Sequence, residues 1–218
     1  MTQSDWGNIS APSSGGAKDI VRVDWKSINE LKGRLIGGVL PRYVYWVVNK
    51  EGKKRSIECL GFNRETKAFD PNLQDPMKEV PAELYSEKPQ FAYVTQLIDR
   101  KTSQVALFDP IKKQAYDEIV ALAINPEYGN PADEIKGYDI TISKQKTGPL
   151  PQNVKYKVLA ARNSSPLTDE EKELPKYDLE KLFKRPTYEE QKKWLLENTT
   201  YFMLQAGNEG FLEGAKDL

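Results

Sequence analysis

Arg42-Tyr43-Val44-Tyr45-Trp46-Val47-Val48-Asn49-Lys50-Glu51-Gly52 decides the reading of this chain. Arg42 to Asn49 is dominated by β-branched and aromatic side chains that suit a pleated, half-buried surface, and Lys50-Glu51-Gly52 has the composition of a hairpin turn. Lys53 to Leu60 is then the returning strand. Strand alternation places Val44, Trp46 and Val48 on one face and Tyr43, Tyr45, Val47 and Asn49 on the other. The first set reads as core and the second as an exposed platform.

Downstream, residues 63 to 90 are rich in proline and polar residues and read as a long loop. Phe91 to Asp99 and Val105 to Asp109 read as two strands joined by a turn over residues 100 to 104. A helix follows, with Asp109 as its cap, Pro110 at its first position and an apolar stripe of Ile111, Ala115, Ile119, Leu122 and Ala123, ended by Asn125-Pro126. Tyr138 to Gln145, with Tyr138, Ile140 and Ile142 on one face, and Val154 to Ala161 are two more strands. After Pro166 the chain turns helical, and Thr187-Tyr188-Glu189-Glu190 has capping-box spacing for a helix running to about Gln205. Upstream, residues 1 to 19 contain nothing that anchors a fold, a short helix is expected from Trp25 to Leu31, and strand texture begins at Arg34.

Three strands, a helix and two strands is the order of a small five-stranded barrel. The expected fold class is mostly β with α: an OB-fold five-stranded barrel plus a helical C-terminal extension. The expected domains are a flexible arm at 1–19, the barrel at 20–168, and the helical extension and tail at 169–218.

Composition narrows the chemistry. The chain has 218 residues, no histidine and one cysteine. Serine–histidine and cysteine–histidine catalysis, histidine-ligated zinc and thiolate zinc clusters all lose their ligands or bases. We therefore expect a protein that is not an enzyme and carries no cofactor or metal. A single cysteine allows no internal disulfide, no apolar run reaches membrane-spanning length, and no signal-peptide core precedes the fold, so the expected location is a reducing cytoplasm, that of the host if the protein is viral. Cys59 alternates with Ile57 and reads as a buried, inert thiol.

The net charge of zero hides an asymmetry: residues 1–168 hold 24 basic and 20 acidic side chains, and residues 169–218 hold 8 and 12. The excess of cations is concentrated in the strands and their turns, with aromatic rings interleaved. Cations that track phosphates and rings that stack on unpaired bases are the components of a single-stranded nucleic-acid surface. The candidate phosphate contacts are Arg42, Lys53, Lys54, Arg55, Lys144, Lys146, Lys155 and Lys157. The candidate stacking residues are Tyr43, Tyr45, Phe62, Tyr93 and Tyr156, with Trp46 joining them if the two faces of its strand are exchanged. Composition does not separate DNA from RNA, because that choice depends on the 2′-hydroxyl.

Other patterns carry less. Gly15-Gly16-Ala17-Lys18 lacks the spacing and following hydroxyl of a phosphate loop. Glu-x-Lys triplets begin at Glu30, Glu51, Glu65, Glu134, Glu170 and Glu190, but a metal nuclease also needs a further converging carboxylate. The alternative function is a non-catalytic adaptor of a replication complex, with exposed hot spots around Tyr188, Trp194 and Phe202.

Gln96-Leu97-Ile98-Asp99-Arg100-Lys101-Thr102-Ser103-Gln104-Val105-Ala106-Leu107-Phe108 with the following helix, Asn125-Pro126-Glu127-Tyr128-Gly129-Asn130-Pro131, and Gly137-Tyr138-Asp139-Ile140-Thr141-Ile142 resemble bacteriophage single-stranded DNA-binding proteins, the helix-destabilising family of T-even-like phages. The resemblance covers roughly residues 40 to 168. It implies an OB-fold core that coats single-stranded DNA in phage replication, recombination and repair, with phage replication or recombination proteins as partners through the C-terminal region. Two features depart from that family. Its structural zinc is held by cysteines and a histidine that this chain lacks, and its basic N-terminal arm has no counterpart in residues 1–17, whose one charged side chain is Asp5. The acidic tail typical of such proteins is matched weakly by Glu209, Glu213 and Asp217 against Lys216.

Overall fold

The computed structural model describes residues 20–25, 27–82, 84–150 and 153–200. The expected arm, the tail and Phe202 lie outside them. The strands are β1 (Glu30–Leu40), β2 (Tyr43–Val48), β3 (Lys54–Glu58), β4 (Phe62–Asn63), β5 (Ala68–Phe69), β6 (Gln90–Phe91), β7 (Val94–Asp99) and β8 (Gln104–Phe108). Helix α1 (Lys113–Ile124) follows, then β9 (Ile140–Lys146) and β10 (Val154–Ala160). Three helices follow these strands: α2 (Asp169–Lys172), α3 (Leu179–Leu182) and α4 (Tyr188–Asn198). The protein is mostly β with a few helices, and its described residues form two compact units that interleave along the chain: 42–91 with 183–200, and 20–41 with 92–182.

The second unit is built on a five-stranded antiparallel sheet in the order β10-β9-β1-β7-β8. The sheet is open, so the expected five-stranded barrel is not closed, and the edges explain why. Along β10, the outward amides of Tyr156 and Val158 donate to the side chains of Gln114 and Glu118 on α1. Along β8, Leu107 exchanges hydrogen bonds with Val21 and Val23, at 2.8 Å each. These contacts occupy part of each edge with groups that do not belong to a further barrel strand, which works against closure. β1 spans the middle, pairing with β9 from Glu30 to Gly33 and with β7 from Gly33 to Leu40. Its register breaks between Ile36 and Leu40, where Gly37 takes φ +67°, a conformation that favours glycine.

One face of this sheet carries Leu31, Leu35, Leu97, Ile140 and Ile142, all buried, under Ala115 and Ile119 of α1. On the other face Ile36, Ile98 and Val105 pack with Leu167, and Leu174 and Tyr177 close over them. Arg34 is fully buried there, donating to the carbonyls of Pro131 and Asp133. Arg100 pairs with both Asp139 and Glu171. That second face is therefore covered over β1, β7 and β8 but open over β9 and β10.

The first unit holds a three-stranded sheet, β3-β2-β6, and the small β4–β5 hairpin. The β2–β3 turn forms as its sequence dictates: the Asn49 side chain accepts from the amides of Glu51 and Lys53, and Gly52 takes φ +75°. Asp75 is buried and gathers the Tyr45 hydroxyl (3.2 Å), the Gly61 and Met77 amides (2.9 and 3.0 Å) and the Cys59 thiol (3.3 Å). α4 docks on β3 through Gln191, whose amide donates to the Glu58 carbonyl at 2.8 Å. Arg185 donates to the Phe62 and Leu60 carbonyls, and Lys50 donates its amide to Asn198. Thr187 and Glu190 make the reciprocal capping box expected from their spacing.

Several expectations need correction. From Tyr45 onward the faces of β2 are the reverse of those expected, with Tyr45 and Val47 buried and Trp46 and Val48 exposed, whereas Val44 is buried as expected. The cross-strand partners supply the reason, since Tyr45 faces Ile57 while Trp46 and Val48 face Ser56 and Lys54. The amides of Ser27 and Ile28 fold back on the Asp24 carbonyl, and the expected Trp25–Leu31 helix gives way to β1 at Glu30. Asp109 does not cap α1; it pairs with Arg22, and the helix begins after Lys112 with no side-chain cap. The 63–90 segment contains β4, β5, a 3₁₀ turn at Pro76–Glu79 and the start of β6. α4 ends at Asn198, short of Gln205.

Candidate nucleic-acid interface

The exposure of this side of β2 makes Trp46 a surface ring of the first unit. Its indole is 38% exposed and forms the floor of an open groove of about 650 Å³ lined by Trp46, Lys54, Glu87, Lys88, Pro89 and Gln90. Strand pairing sets the geometry. Lys54 rises from β3 on one side of Trp46, and Gln90 of β6 with the preceding Glu87-Lys88-Pro89 rises on the other. Tyr85 fastens that second wall to β2, donating its hydroxyl to the Trp46 carbonyl at 3.3 Å. Burial, with Glu87 nearby, pushes the Tyr85 hydroxyl up to about 12, so it stays a donor. Among the described residues, none of the side chains of Lys54, Glu87, Lys88 and Gln90 makes a hydrogen bond or ion pair, so their polar ends are available to a ligand.

The arginines nearby are used differently. Arg42 and Arg64 converge on Glu58, itself 5% exposed, at 2.9 Å each. The Arg42 guanidinium also lies 4.3 Å from the centre of the Phe183 ring, and Arg64 donates to the Phe183 carbonyl. Arg42, expected to contact phosphate, thus belongs to the foundation of the sheet. Arg55 is half-buried on the face of Val47, opposite Trp46. Lys53 is exposed but paired with Glu51 at 2.9 Å.

The expected stacking residues are mostly interior. Tyr45 is 6% exposed; burial raises its hydroxyl above the ordinary value, and burial likewise pushes the neighbouring Cys59 thiol up to about 12. Phe62 and Tyr93 are buried, the latter 5.0 Å from Tyr116. Tyr43 is half-buried in a cluster with Phe62, Phe69 and Phe91, of which Phe69 is exposed. Tyr156 packs edge-on to Trp25 at 5.6 Å on the α1 side of its sheet. Of the adaptor's expected hot spots, Trp194 of α4 is buried, and the Tyr188 hydroxyl is engaged with Glu79.

In the second unit the basic residues of β9 and β10 part company. Lys144 and Lys146 share a face with Tyr156 and Val154, and the Lys144 ammonium donates to the Trp25 carbonyl at 2.6 Å. Lys155 and Lys157 point to the open face, beside Gln145, Ser143 and Leu159 of the same face, with Lys32 of β1 next to Thr141. The two lysines stand about 6.6 Å apart along the strand. Among the described residues this face has cations and hydroxyls but no aromatic ring.

Sequence reasoning missed Lys88, Lys32, Glu87 and Gln90. Alternation across Leu31-Lys32-Gly33-Arg34-Leu35 was a readable signal for Lys32. Nothing local marks the 87–90 segment, because its role depends on β6 pairing with β2.

No helix among the described residues is long and apolar enough to cross a membrane. No protein-family model matches the sequence. The chain is similar to a protein of Escherichia phage T5 named a probable ssDNA-binding protein: 28% identity over 221 residues, spanning 86% of this chain and 83% of that one.

Proposed function

We propose that this chain binds single-stranded DNA with little regard to sequence and performs no catalysis. The observation that carries the reading is the Trp46 groove: an exposed indole on an open sheet face between Lys54 and Lys88, neither of which is held by a carboxylate among the described residues. A base set on the indole would gain about 1–3 kcal/mol from stacking, and the lysines would neutralise flanking phosphates. A duplex cannot use such a floor, since its bases are stacked on one another and offer only edges. Similarity to the phage T5 protein supports the same reading. Lys155 and Lys157 would add phosphate contacts without base contacts. The biological setting that fits is coating and protection of single strands during phage DNA replication, recombination and repair in the host cytoplasm, with protein partners engaged through the C-terminal region.

Intrinsic tryptophan fluorescence titrated with oligo-dT at low and high salt, with duplex as control, tests the proposal. Quenching by single strands alone, weakened steeply by salt, is the expected outcome. Equal binding of duplex, or no binding at low salt, would overturn it.

A further inference from the structure

We propose that the Trp46 groove is a one-nucleotide subsite in which Glu87 favours a base with an exocyclic amino group over thymine. The inference rests on the DNA-binding reading above and adds a selectivity that reading does not contain. The two walls of the groove differ in charge. The β3 wall presents Lys54 alone, whereas the β6 wall presents Glu87 and Gln90 beside Lys88. The first wall is a lone cation, whereas at the second the Glu87 carboxylate offsets Lys88, so a phosphate is drawn more strongly to the first. A nucleotide stacked on Trp46 therefore sets its backbone toward Lys54 and turns the edge of its base toward Glu87 and Gln90.

At that edge the donor and acceptor pattern decides. A carboxylate is acceptor-only, and the Glu87 carboxylate has no hydrogen bond or ion pair among the described residues to satisfy it. Cytosine brings its N4 amino group as a donor where thymine brings the O4 acceptor. Thymine offers that carboxylate only its N3–H, flanked by two carbonyl oxygens that repel the carboxylate oxygens, and so makes the poorer partner. Gln90, which can donate or accept, does not discriminate. General pyrimidine preferences from stacking and backbone flexibility act on every strand-binding surface, so the signature of Glu87 is a change in selectivity when it is altered.

The test compares oligo-dC and oligo-dT of one length at pH 8 and fixed salt, by fluorescence anisotropy of the labelled strand, for the wild type and Glu87→Gln. Loss of a negative charge strengthens binding of both strands alike and cancels in the ratio of their dissociation constants. We expect the ratio Kd(dT)/Kd(dC) to fall by about fivefold or more in the variant, since its amide can turn to serve either base. A ratio unchanged within twofold, with both strands still bound, would overturn the inference and leave strand binding intact. No binding of either strand by the wild type would overturn the underlying function as well.

Discussion

The Trp46 groove and the open face of β9 and β10 are both basic, both exposed and both on antiparallel sheets, yet they are not equivalent surfaces. The groove combines Lys54 and Lys88 with an indole; the β9–β10 face offers Lys155, Lys157 and Lys32 around Ser143, Thr141 and Leu159. On the proposed function the first would hold a base and a phosphate, the second a phosphate alone. Charge marks where a polyanion can approach. An accessible ring backed by unpaired cations marks where a single strand is told from a double one.

The largest effect that bears on this contrast lies beneath the groove. Glu58→Ala leaves Arg42 and Arg64 as uncompensated, largely buried cations and is expected to cost about 3–5 kcal/mol of stability. Thermal unfolding measures it, and an unchanged midpoint would mean that these arginines are free to contact phosphate after all. Trp46→Ala comes next, with single-strand affinity falling roughly 5- to 150-fold, the equivalent of about 1–3 kcal/mol for one stacked base, and no loss of fold because the ring is exposed. Lys155→Ala combined with Lys157→Ala is milder. Each phosphate contact contributes about 0.7 to the slope of log affinity against log salt on single strands, so the slope shrinks by about 1.4, equally for every base composition. A loss that depended on base identity would place a stacking site on that face.

A separate effect, on stability alone, concerns pH. Cys59 and Tyr45 both ionise later in the folded chain than in the unfolded one, because burial disfavours their charged forms. Their contribution to stability is therefore complete below about pH 9 and is lost as pH rises through 12 and beyond. Denaturant unfolding at pH 8, 9.5 and 11 should show a progressive fall. A midpoint that stays constant across that range contradicts the burial of the Asp75 cluster.

Most of the strands were legible because their alternation is local. Tyr138, Ile140 and Ile142 are buried as expected, and the β2–β3 and β7–β8 hairpins stand where their turn residues put them. What failed depended on pairing. Trp46 was assigned to the core because β2 is apolar on both faces, and only the sequence of β3, with Ile57 against Tyr45 and Ser56 against Trp46, breaks the tie. The barrel was inferred from strand order, which says nothing of an edge capped by Gln114 and Glu118 or by residues 21–23. Arg42 was taken for a phosphate ligand because its partner Glu58 lies sixteen residues away on another strand. The lysines fared better: a flexible ammonium in water needs no partner, so Lys54, Lys155 and Lys157 remain exposed where the charge pattern placed them.

The most direct test of the account sets the two surfaces side by side: labelled oligo-dT titrated with the wild type, Trp46→Ala, and the Lys155→Ala, Lys157→Ala double variant at two salt concentrations. We predict that Trp46→Ala binds at least fivefold more weakly at both salts with a slope close to wild type, while the lysine variant flattens the slope. Wild-type affinity in Trp46→Ala at both salts would contradict the claim that the groove is where a single strand is held.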